Sequence, residues 1–262
     1  MGKVDLREER LLEELRARGQ MDLKEIAELF GISDSTARRM CVELERKDLA
    51  IRTFGGLRAL PENGGILFAP YSYADSENEH TVLKARIGRH ACKLVEEGDI
   101  LFLSGGTTVQ QLALALAIRI EQEKLKDILI LTNSIACAEV LGQCCSVTLT
   151  GGKLRPERRD VAGFLSEQMV KNARFDKCFI GVDGIDLNQG VMAFDMDTAN
   201  LDRMVTLQSD TVYILADSSK FSRTYFTAYE SFLPRHKLIT DENLSPALRE
   251  IALLSGITLE FV

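Results

Sequence analysis

Apolar residues recur at helical spacing in three segments at the start of the chain. The first segment ends near Gly19 and contains a stripe of leucines, namely Leu6, Leu11, Leu12 and Leu15. The second covers residues 23–30 and is followed by a turn at Gly31. Ser33 precedes the third segment, and its hydroxyl is a good N-cap because it can accept a backbone N–H of the first turn. These features predict a helix-turn-helix, whose last helix would enter the major groove of DNA.

A β-hairpin is predicted directly after the third helix. Residues 49–54 and 57–60 are strand-like, and Gly55-Gly56 between them favours a tight turn. A hairpin in this place makes the domain a winged helix. Taken alone, a Ser-capped amphipathic helix is more often a core helix than a recognition helix, so the prediction depends on the combination. The candidate DNA-binding residues are Ser33, Ser35, Thr36, Arg38, Arg39, Arg52 and Arg58.

From residue 79 the pattern changes to short apolar strands that alternate with helices. Residues 59–78 have no sustained period and contain two prolines. We therefore divide the chain into a winged helix-turn-helix domain (1–60), a linker (61–78) and an α/β domain (79–262). The predicted helices of the last domain are 84–95, 109–120, 135–141, 161–173 and 198–209. Its predicted strands are 100–103, 128–132, 147–150, 177–182 and 212–216, which form a mostly parallel sheet covered on both faces.

One loop of the α/β domain has the chemistry of an anion site. Ser104-Gly105-Gly106-Thr107-Thr108 follows a strand and leads into a helix. Glycines let the backbone approach an anion, and the helix N-terminus offers N–H groups and a positive dipole. The spacing is neither a Walker loop nor GxGxxG, so a nucleotide is not expected. A strand-to-helix turn that binds nothing is the alternative.

Other polar loops follow strands of the same predicted sheet. Parallel sheets bind ligands at the carboxyl ends of their strands, where such loops converge. With Lys84, a possible partner for a phosphate, the candidate effector-binding residues are Lys84, Ser104, Gly105, Gly106, Thr107, Thr108, Asn133, Ser134, Gly152, Lys153, Asp183, Asp217 and Lys220.

Composition and charge narrow the function classes. The chain has 262 residues, 45% of them hydrophobic, and a net charge of −7. Residues 36–60 nevertheless contain six basic and three acidic side chains, a local basic face that suits DNA. The six cysteines include no CxxC pair and none has a histidine at zinc-ligand spacing, which indicates reduced thiols and no metal site. No signal peptide or membrane span is found, so we expect a cytoplasmic protein without a cofactor.

The N-terminal segment resembles the DeoR family of bacterial transcriptional regulators. The resemblance rests on residues 32–39, on Glu43-Leu44-Glu45 and on residues 52–56. The chain departs from the family pattern at Ala37, Met40, Cys41 and Phe54, where the family prefers Ile, Asp, Leu and His. The resemblance implies a regulator that binds double-stranded operator DNA and most often represses transcription.

The C-terminal segment resembles the sensor domain of the same family. The matching runs are Lys84-x-x-Ile87-Gly88, Glu97-Gly98-Asp99, Gly106-Thr107-Thr108, Thr132-Asn133-Ser134, Gly151-Gly152, Asp183-Gly184-Ile185 and residues 215–221. The resemblance implies the fold of ribose-5-phosphate isomerase and a phosphorylated sugar or polyol as effector. Ser104 replaces the usual Asp, and Thr198 and Asp202 replace the usual Glu and Lys. We therefore expect an effector that is not a common one.

A sugar-phosphate isomerase-like enzyme with an added DNA-binding head is the alternative function. An isomerase needs a carboxylate base at the substrate carbon, and Asp183 and Asp217 are possible bases. Such an enzyme would need a glutamate on the helix after residue 195. This chain has none there, although Asp195 and Asp197 are present. We therefore expect a regulator and not an enzyme. One winged helix buries too little DNA for tight specific binding, so a homo-oligomer, dimer or tetramer, is expected.

Overall fold

A computed structural model of the protein describes residues 3–47, 49–53, 55–59, 71–222, 225, 227–254 and 256–262. The chain divides into two units, Met1–Gly65 and Ile66–Val262. Most of the predicted linker, residues 61–70, lies outside the described residues, and a helix covers Tyr73–Asn78. The boundaries at residues 60 and 78 therefore stay predictions. None of the helices in the described part of the chain is long and apolar enough to cross a membrane.

The first unit confirms the predicted winged helix-turn-helix. Its elements are α1 (Lys3–Arg18), β1 (Gln20–Asp22), α2 (Leu23–Phe30), α3 (Asp34–Arg46), β2 (Ala50–Thr53) and β3 (Gly56–Ala59). Asp22 and Glu25 form a capping box at the start of α2, and Gly31 ends that helix with φ 58°. Ser33 caps α3 and accepts from the Thr36 backbone N–H, as predicted.

The predicted turn of the wing is wrong by one residue. Gly56 is the first residue of β3 and pairs with Thr53 on one side and with Asp22 of β1 on the other. Residues 54 and 55 therefore connect the strands, and Phe54 lies outside the described residues. A Cβ on Gly56 would lie 2.0 Å from the carbonyl oxygen of Met21, so glycine is required where β1 packs against the hairpin. Three residues are too few for β1 to show a pattern in the sequence.

The second unit confirms the predicted α/β class. Its helices are α4 (Tyr73–Asn78), α5 (Thr81–Lys93), α6 (Thr107–Glu121), α7 (Ile135–Leu141), α8 (Phe164–Lys171), α9 (Met196–Leu207) and α10 (Pro246–Leu254), with a short 3-10 helix at Ser218–Ser222. Its strands are β4 (Ile100–Leu103), β5 (Leu129–Thr132), β6 (Val147–Leu149), β7 (Lys153–Arg155), β8 (Asp160–Ala162), β9 (Phe175–Gly181), β10 (Gly184–Asp186), β11 (Gly190–Ala193), β12 (Ser209–Leu215), β13 (Thr227–Glu230), β14 (His236–Thr240) and β15 (Thr258–Phe261).

A seven-stranded parallel sheet organises this unit, in the order β15-β14-β12-β9-β4-β5-β6. Neighbouring residues of one strand pack into different hydrophobic cores, because successive side chains point to opposite faces of the sheet. Phe102 packs into the core that contains α8, α9 and α10. Leu101 and Leu103 pack into the core formed with α5, α6 and α7. Both faces are therefore covered, and the carboxyl ends of the strands remain as the edge where loops meet.

Four of the five predicted helices of this unit begin at another residue than expected, and the helix Ile135–Leu141 has its predicted bounds. The helices expected from residues 84 and 109 begin at Thr81 and Thr107. The helix expected from Val161 starts at Phe164, because residues 160–162 pair as β8 with β7 and Gly163 follows with φ 91°. The helix expected over 198–209 covers Met196–Leu207, and Ser209 begins β12. The antiparallel sheet β10-β11-β13 and the elements after residue 217 had no counterpart in the sequence prediction.

Candidate functional site

The exposed side of α3 is the candidate DNA interface. Ala37, Cys41 and Leu44 are buried in the core of the first unit, so the opposite side of the helix faces outward. Arg38 and Arg39 are exposed on that side. Neither arginine makes an ion pair with another described residue. Exposed guanidinium groups on this helix can contact DNA phosphates.

The N-terminal residues of α3 form one hydroxyl cluster. Ser33 Oγ lies 2.9 Å from Ser35 Oγ and 3.0 Å from Thr36 Oγ1, and it accepts the Thr36 backbone N–H at 3.3 Å. Ser33 therefore supports the helix as well as being exposed. Arg52 lies in β2 and Arg58 in β3, on the predicted wing, but their side chains lie outside the described residues.

A cleft opens at the carboxyl ends of the parallel strands. It has about 570 Å³ of empty space, part of which is open solvent. Residues from several predicted loops line it together, namely Gly105, Gly106, Thr107, Thr108, Asn133, Asp183 and Lys220. The predicted convergence of these loops is thus present in the structure, and the ligand that they bind stays a prediction.

The glycine loop forms one side of the cleft. Gly106 is the N-cap of α6 with φ 119°, and no side chain caps the first turn. A Cβ on Gly106 would have Gly181 Cα at 4.0 Å as its nearest neighbour, so its conformation and not space demands glycine. Thr107 and Thr108 are buried and line the cleft beside the N–H groups of this turn. The loop presents hydrogen-bond donors and the positive end of a helix dipole.

A buried ion-pair network forms another side of the cleft. Arg155 donates to both carboxylate oxygens of Asp160, at 2.8 Å and 2.7 Å. Its Nη1 also donates to Asp195 Oδ1 at 2.8 Å and to Thr198 Oγ1 at 3.0 Å. Burial raises the pKa of Asp160, although Arg155 acts in the opposite direction. Burial would raise the pKa of Asp195, the N-cap of α9, but hydrogen bonds from Thr198 and the charges of Arg158 and Arg155 hold it below the usual value.

Arg158 lies on the wall of the cleft between Tyr71 and Asp183. Its Nη2 donates to Asp183 Oδ1 at 3.2 Å, and its guanidinium carbon lies 4.3 Å from the centre of the Tyr71 ring. Its buried Nε and Nη1 have no hydrogen-bond partner among the described residues. Burial alone would lower the pKa of Arg158, but Asp183 and Asp195 hold it above the usual value. Nε lies 3.8 Å from Asp160 Oδ2 and Nη1 lies 3.6 Å from Asp195 Oδ2, so Arg158 is a charged group on the wall of the cleft that three carboxylates surround.

Asp202, Tyr229, Met192 and Ala193 also line the cleft. Tyr229 Oη donates to Asp202 Oδ2 at 3.4 Å. Burial, together with the charges of Asp183 and Asp160, raises the pKa of Asp202 to about 8 against the effect of Arg158 and Arg155. Thr198 lies one turn before Asp202 on α9 and also lines the cleft.

The remaining predicted effector residues do not line the cleft. Ser104 Oγ accepts from Gly181 N, and Ser134 Oγ accepts from Cys137 N as the N-cap of α7. Gly152 allows a tight turn with φ 138°, and Lys153 is exposed on β7. Lys84 is buried and donates to the carbonyl of Ser76.

Asp217 lies directly behind the cleft. Its Oδ1 accepts from the Ser219 backbone at 3.1 Å and hydroxyl at 2.5 Å, whereas its buried Oδ2 has no hydrogen-bond partner among the described residues. Burial would raise the pKa of Asp217, but the nearby charges of Lys220, His80 and Lys84 hold it below the usual value. Asp217 thus places a negative charge near Lys220, which lines the cleft.

Sequence reasoning missed part of the site. The additional lining residues with polar side chains are Tyr71, Arg158, Asp160, Thr198, Asp202 and Tyr229, and Arg155 lies directly behind them. The sequence does contain one indication of these residues. Residues 155–160 include three arginines and two acidic residues, in a connection that begins at the edge of the sheet where ligands bind. Tyr71 and Tyr229 gave no signal, because they lie far from the predicted loops in the sequence.

Comparisons with known proteins give the family. The model of the DeoR-like helix-turn-helix domain matches residues 7–62, and that of the DeoR C terminal sensor domain matches residues 79–242. The chain belongs to the DeoR family. It is 32% identical over 257 residues to the HTH-type transcriptional repressor GlcR of Bacillus subtilis, covering 96% of this chain and 95% of that one. It is 30% identical over 244 residues to the lactose phosphotransferase system repressor of Streptococcus mutans, covering 90% and 93%.

Membership of the DeoR family confirms the predicted function class, a DNA-binding transcriptional regulator with a sensor domain. Among solved structures, ribose 5-phosphate isomerase from Plasmodium falciparum aligns with a TM-score of 0.41 and 20% identity, over 53% of this chain and 52% of that one. So low a score supports no inference about this chain. The α/β class of the sensor domain is given by its own seven-stranded sheet.

Proposed function

We propose that this DeoR-family regulator represses transcription from an operator and that a phosphorylated sugar or polyol in the cleft changes its affinity for that operator. The observation that carries the proposal is the cleft itself, where the uncapped first turn of α6 faces Arg158 and Lys220. The relatives reported above are named as repressors, and one is named for a sugar phosphotransferase system.

The phosphate is assigned to the loop from Gly105 to Thr108. The chain carries a net charge of −7, so a dianion needs a local positive site to bind. Backbone N–H groups at the start of α6, the hydroxyls of Thr107 and Thr108, and the Lys220 ammonium group provide one. Asp160 lies beside this loop, but Arg155 neutralises its charge with two hydrogen bonds.

The sugar is assigned to the opposite wall of the cleft. Asp183 accepts from Arg158 and from the Phe194 backbone at 2.9 Å, so its carboxylate is held in place for hydroxyl groups. Arg158 supplies a positive charge on this wall, and Asn133 Oδ1 supplies an acceptor for a further hydroxyl. A sugar has both donors and acceptors along its length, which suits this mixed wall.

DNA recognition is assigned to α3 and the wing. Arg38 and Arg39 would contact phosphates, whereas Ser35 and Thr36 lie at the end of α3 that reaches base edges in known helix-turn-helix complexes. We infer that the regulator acts in the cytoplasm as a homo-oligomer. Its operator would then contain half-sites one or more helical turns apart, at about 10–10.5 base pairs per turn.

The proposal is tested by measuring operator binding in the presence of metabolites. Fluorescence anisotropy with labelled DNA from upstream of the gene should show tight binding by the full chain, changed by phosphorylated sugars and not by their unphosphorylated parents. Thr107→Val, which removes one hydroxyl and keeps the shape, should weaken the response and leave operator binding intact. Gly106 is unsuitable for substitution because its φ of 119° would strain any other residue.

An unchanged operator affinity across pentose, hexose and polyol phosphates would contradict the proposed function. The isomerase alternative is tested on the same protein sample. Turnover of pentose, hexose or triol phosphates at enzymatic rates would favour the alternative, and binding without turnover is the expected result.

A further inference from the structure

Asp202 is a buried carboxyl that lines the cleft without an ionic partner among the described residues. It is 3% exposed, lines the cleft from α9, and makes no ion pair with any described residue. The hydrogen bond that its carboxyl accepts comes from Tyr229 Oη, at 3.4 Å. Burial without an ionic partner favours the neutral carboxylic acid, whereas a cationic ligand with hydrogen-bond donors would favour the ionised carboxylate.

Around Asp202 the carboxyl groups outnumber the guanidinium groups. Arg155 pairs with Asp160 and Asp195, and Arg158 pairs with Asp183. Asp202 is therefore a fourth carboxyl against two guanidinium groups. The titratable and charged groups that face it are Arg155, Arg158, Asp160, Asp183, Tyr229 and Cys178. Among these, the carboxylates disfavour a second anion at this wall of the cleft.

A second buried acceptor points to the same kind of ligand. Asn133 is 3% exposed and lines the cleft, and its Nδ2 donates to the Val161 carbonyl at 3.2 Å. This bond fixes the amide orientation and leaves the buried Oδ1 without a partner among the described residues. The cleft thus presents two acceptors to a ligand: the Asp202 carboxyl, which accepts one long hydrogen bond from Tyr229, and Asn133 Oδ1, which accepts none from the described residues.

We propose that the cleft selects a phosphorylated sugar that carries a primary amine, with the ammonium group on Asp202. This inference rests on the proposed function, because the phosphate is still assigned to the loop at Gly105–Thr108. An ammonium group has three donors and no acceptor, and it brings a positive charge to a wall where four carboxyls face two guanidinium groups. A hydroxyl supplies one donor and no charge.

A proton leaves the site when the amine binds. Because burial raises the pKa of Asp202 to about 8, its carboxyl is mostly protonated at pH 7 in the unliganded protein. The ammonium group keeps its own proton and stabilises the ionised carboxylate, so the proton of Asp202 passes to the buffer. A sugar phosphate without an amine leaves Asp202 protonated.

Calorimetric titration of the full chain tests this selectivity. The probes are glucosamine 6-phosphate and galactosamine 6-phosphate, each beside its N-acetyl derivative and its hydroxyl counterpart. The amine should bind about 10- to 100-fold more tightly than either analogue, the usual range for a hydrogen bond to a charged group. Asp202→Asn should reduce this ratio to within about threefold. Asp210→Asn, the same change at an exposed carboxylate, should keep the ratio.

Proton release in the wild-type protein gives a readout that needs no variant. Titrations at pH 7 in two buffers of different ionisation enthalpy should show that the amine releases close to one proton more than its hydroxyl counterpart. Equal affinities for amine and hydroxyl, or equal proton release, would overturn the selectivity and leave the proposed function intact. Failure of every phosphorylated probe to bind would overturn both.

Discussion

Arg155 binds Asp160 through two parallel hydrogen bonds, 2.8 Å from Nε to Oδ1 and 2.7 Å from Nη2 to Oδ2. The pair is buried beside the glycine loop, since a Cβ on Gly105 would lie 3.0 Å from Asp160 Oδ2. Arg155 therefore neutralises the carboxylate closest to the proposed phosphate position. It also holds Asp195 at the start of α9, which places Thr198 and Asp202 on the cleft.

Arg155→Met should weaken both the fold and the binding of the effector. Breaking a buried ion pair by removing one partner costs about 3–5 kcal/mol, because a buried charge is left uncompensated. Chemical denaturation measures this loss. Arg174→Met, which removes a solvent-exposed partner of Asp210 at 3.9 Å, should change the free energy of unfolding by less than about 1 kcal/mol. Equal effects of the two substitutions would contradict the role given to Arg155.

Arg38→Ala and Arg39→Ala should each weaken binding to all DNA sequences. Each lost phosphate contact should reduce the slope of log K against log salt by about one unit. Gel shifts on specific and unrelated DNA across a salt series measure this effect. Arg174→Ala is the matched control in the sensor domain. An unchanged gel shift by the double variant at physiological salt would show that α3 is not the recognition helix.

Gly88→Ala should destabilise the sensor domain. Gly88 lies on α5 where it crosses α6, and an added Cβ would lie 2.5 Å from the backbone carbon of Gln111 and 2.6 Å from the nitrogen of Leu112. Overpacking of this kind costs about 1–3 kcal/mol, so Tm should fall by several degrees. Gly151→Ala, whose Cβ would make an ordinary 3.8 Å contact with Leu165, should have little effect. Equal Tm values for the two variants would contradict the close packing of α5 on α6.

Acid should destabilise the protein through His236. Burial, followed by the charge of Arg235, lowers the pKa of His236 to about 4. The unfolded chain binds a proton at this side chain below about pH 6.5, whereas the folded chain does not until about pH 4. The free energy of unfolding should therefore fall as pH decreases through this window, by roughly 2–3 kcal/mol. In His236→Asn, where the amide can still accept from the Leu233 N–H, denaturation at pH 7 and pH 5 should show a smaller difference; an unaltered difference would exclude His236 as the cause.

The sequence was sufficient to predict both domain folds and about half of the cleft. Regular apolar patterns predicted α2, α3 and most of the parallel sheet, because their residues pack on elements close in sequence. Glycine-rich loops after strands predicted Gly105–Thr108, since the anion-binding chemistry lies in one continuous segment. Arg155 and Asp202 could not be assigned in this way. Their roles depend on contacts between β7, β8 and α9, which the chain brings together over about forty residues.

The response of Tm to phosphorylated and unphosphorylated forms of the same sugars tests the central claim most directly. A ligand at one hundred times its dissociation constant stabilises the native state by about 2.7 kcal/mol, which for a chain of this size raises Tm by roughly 5–11 °C. We predict that at least one phosphorylated sugar or polyol raises the Tm of the wild-type protein by this amount while its unphosphorylated parent has little effect. Equal stabilisation by both forms, or none by any phosphorylated compound, would contradict a phosphate site at Gly105–Thr108.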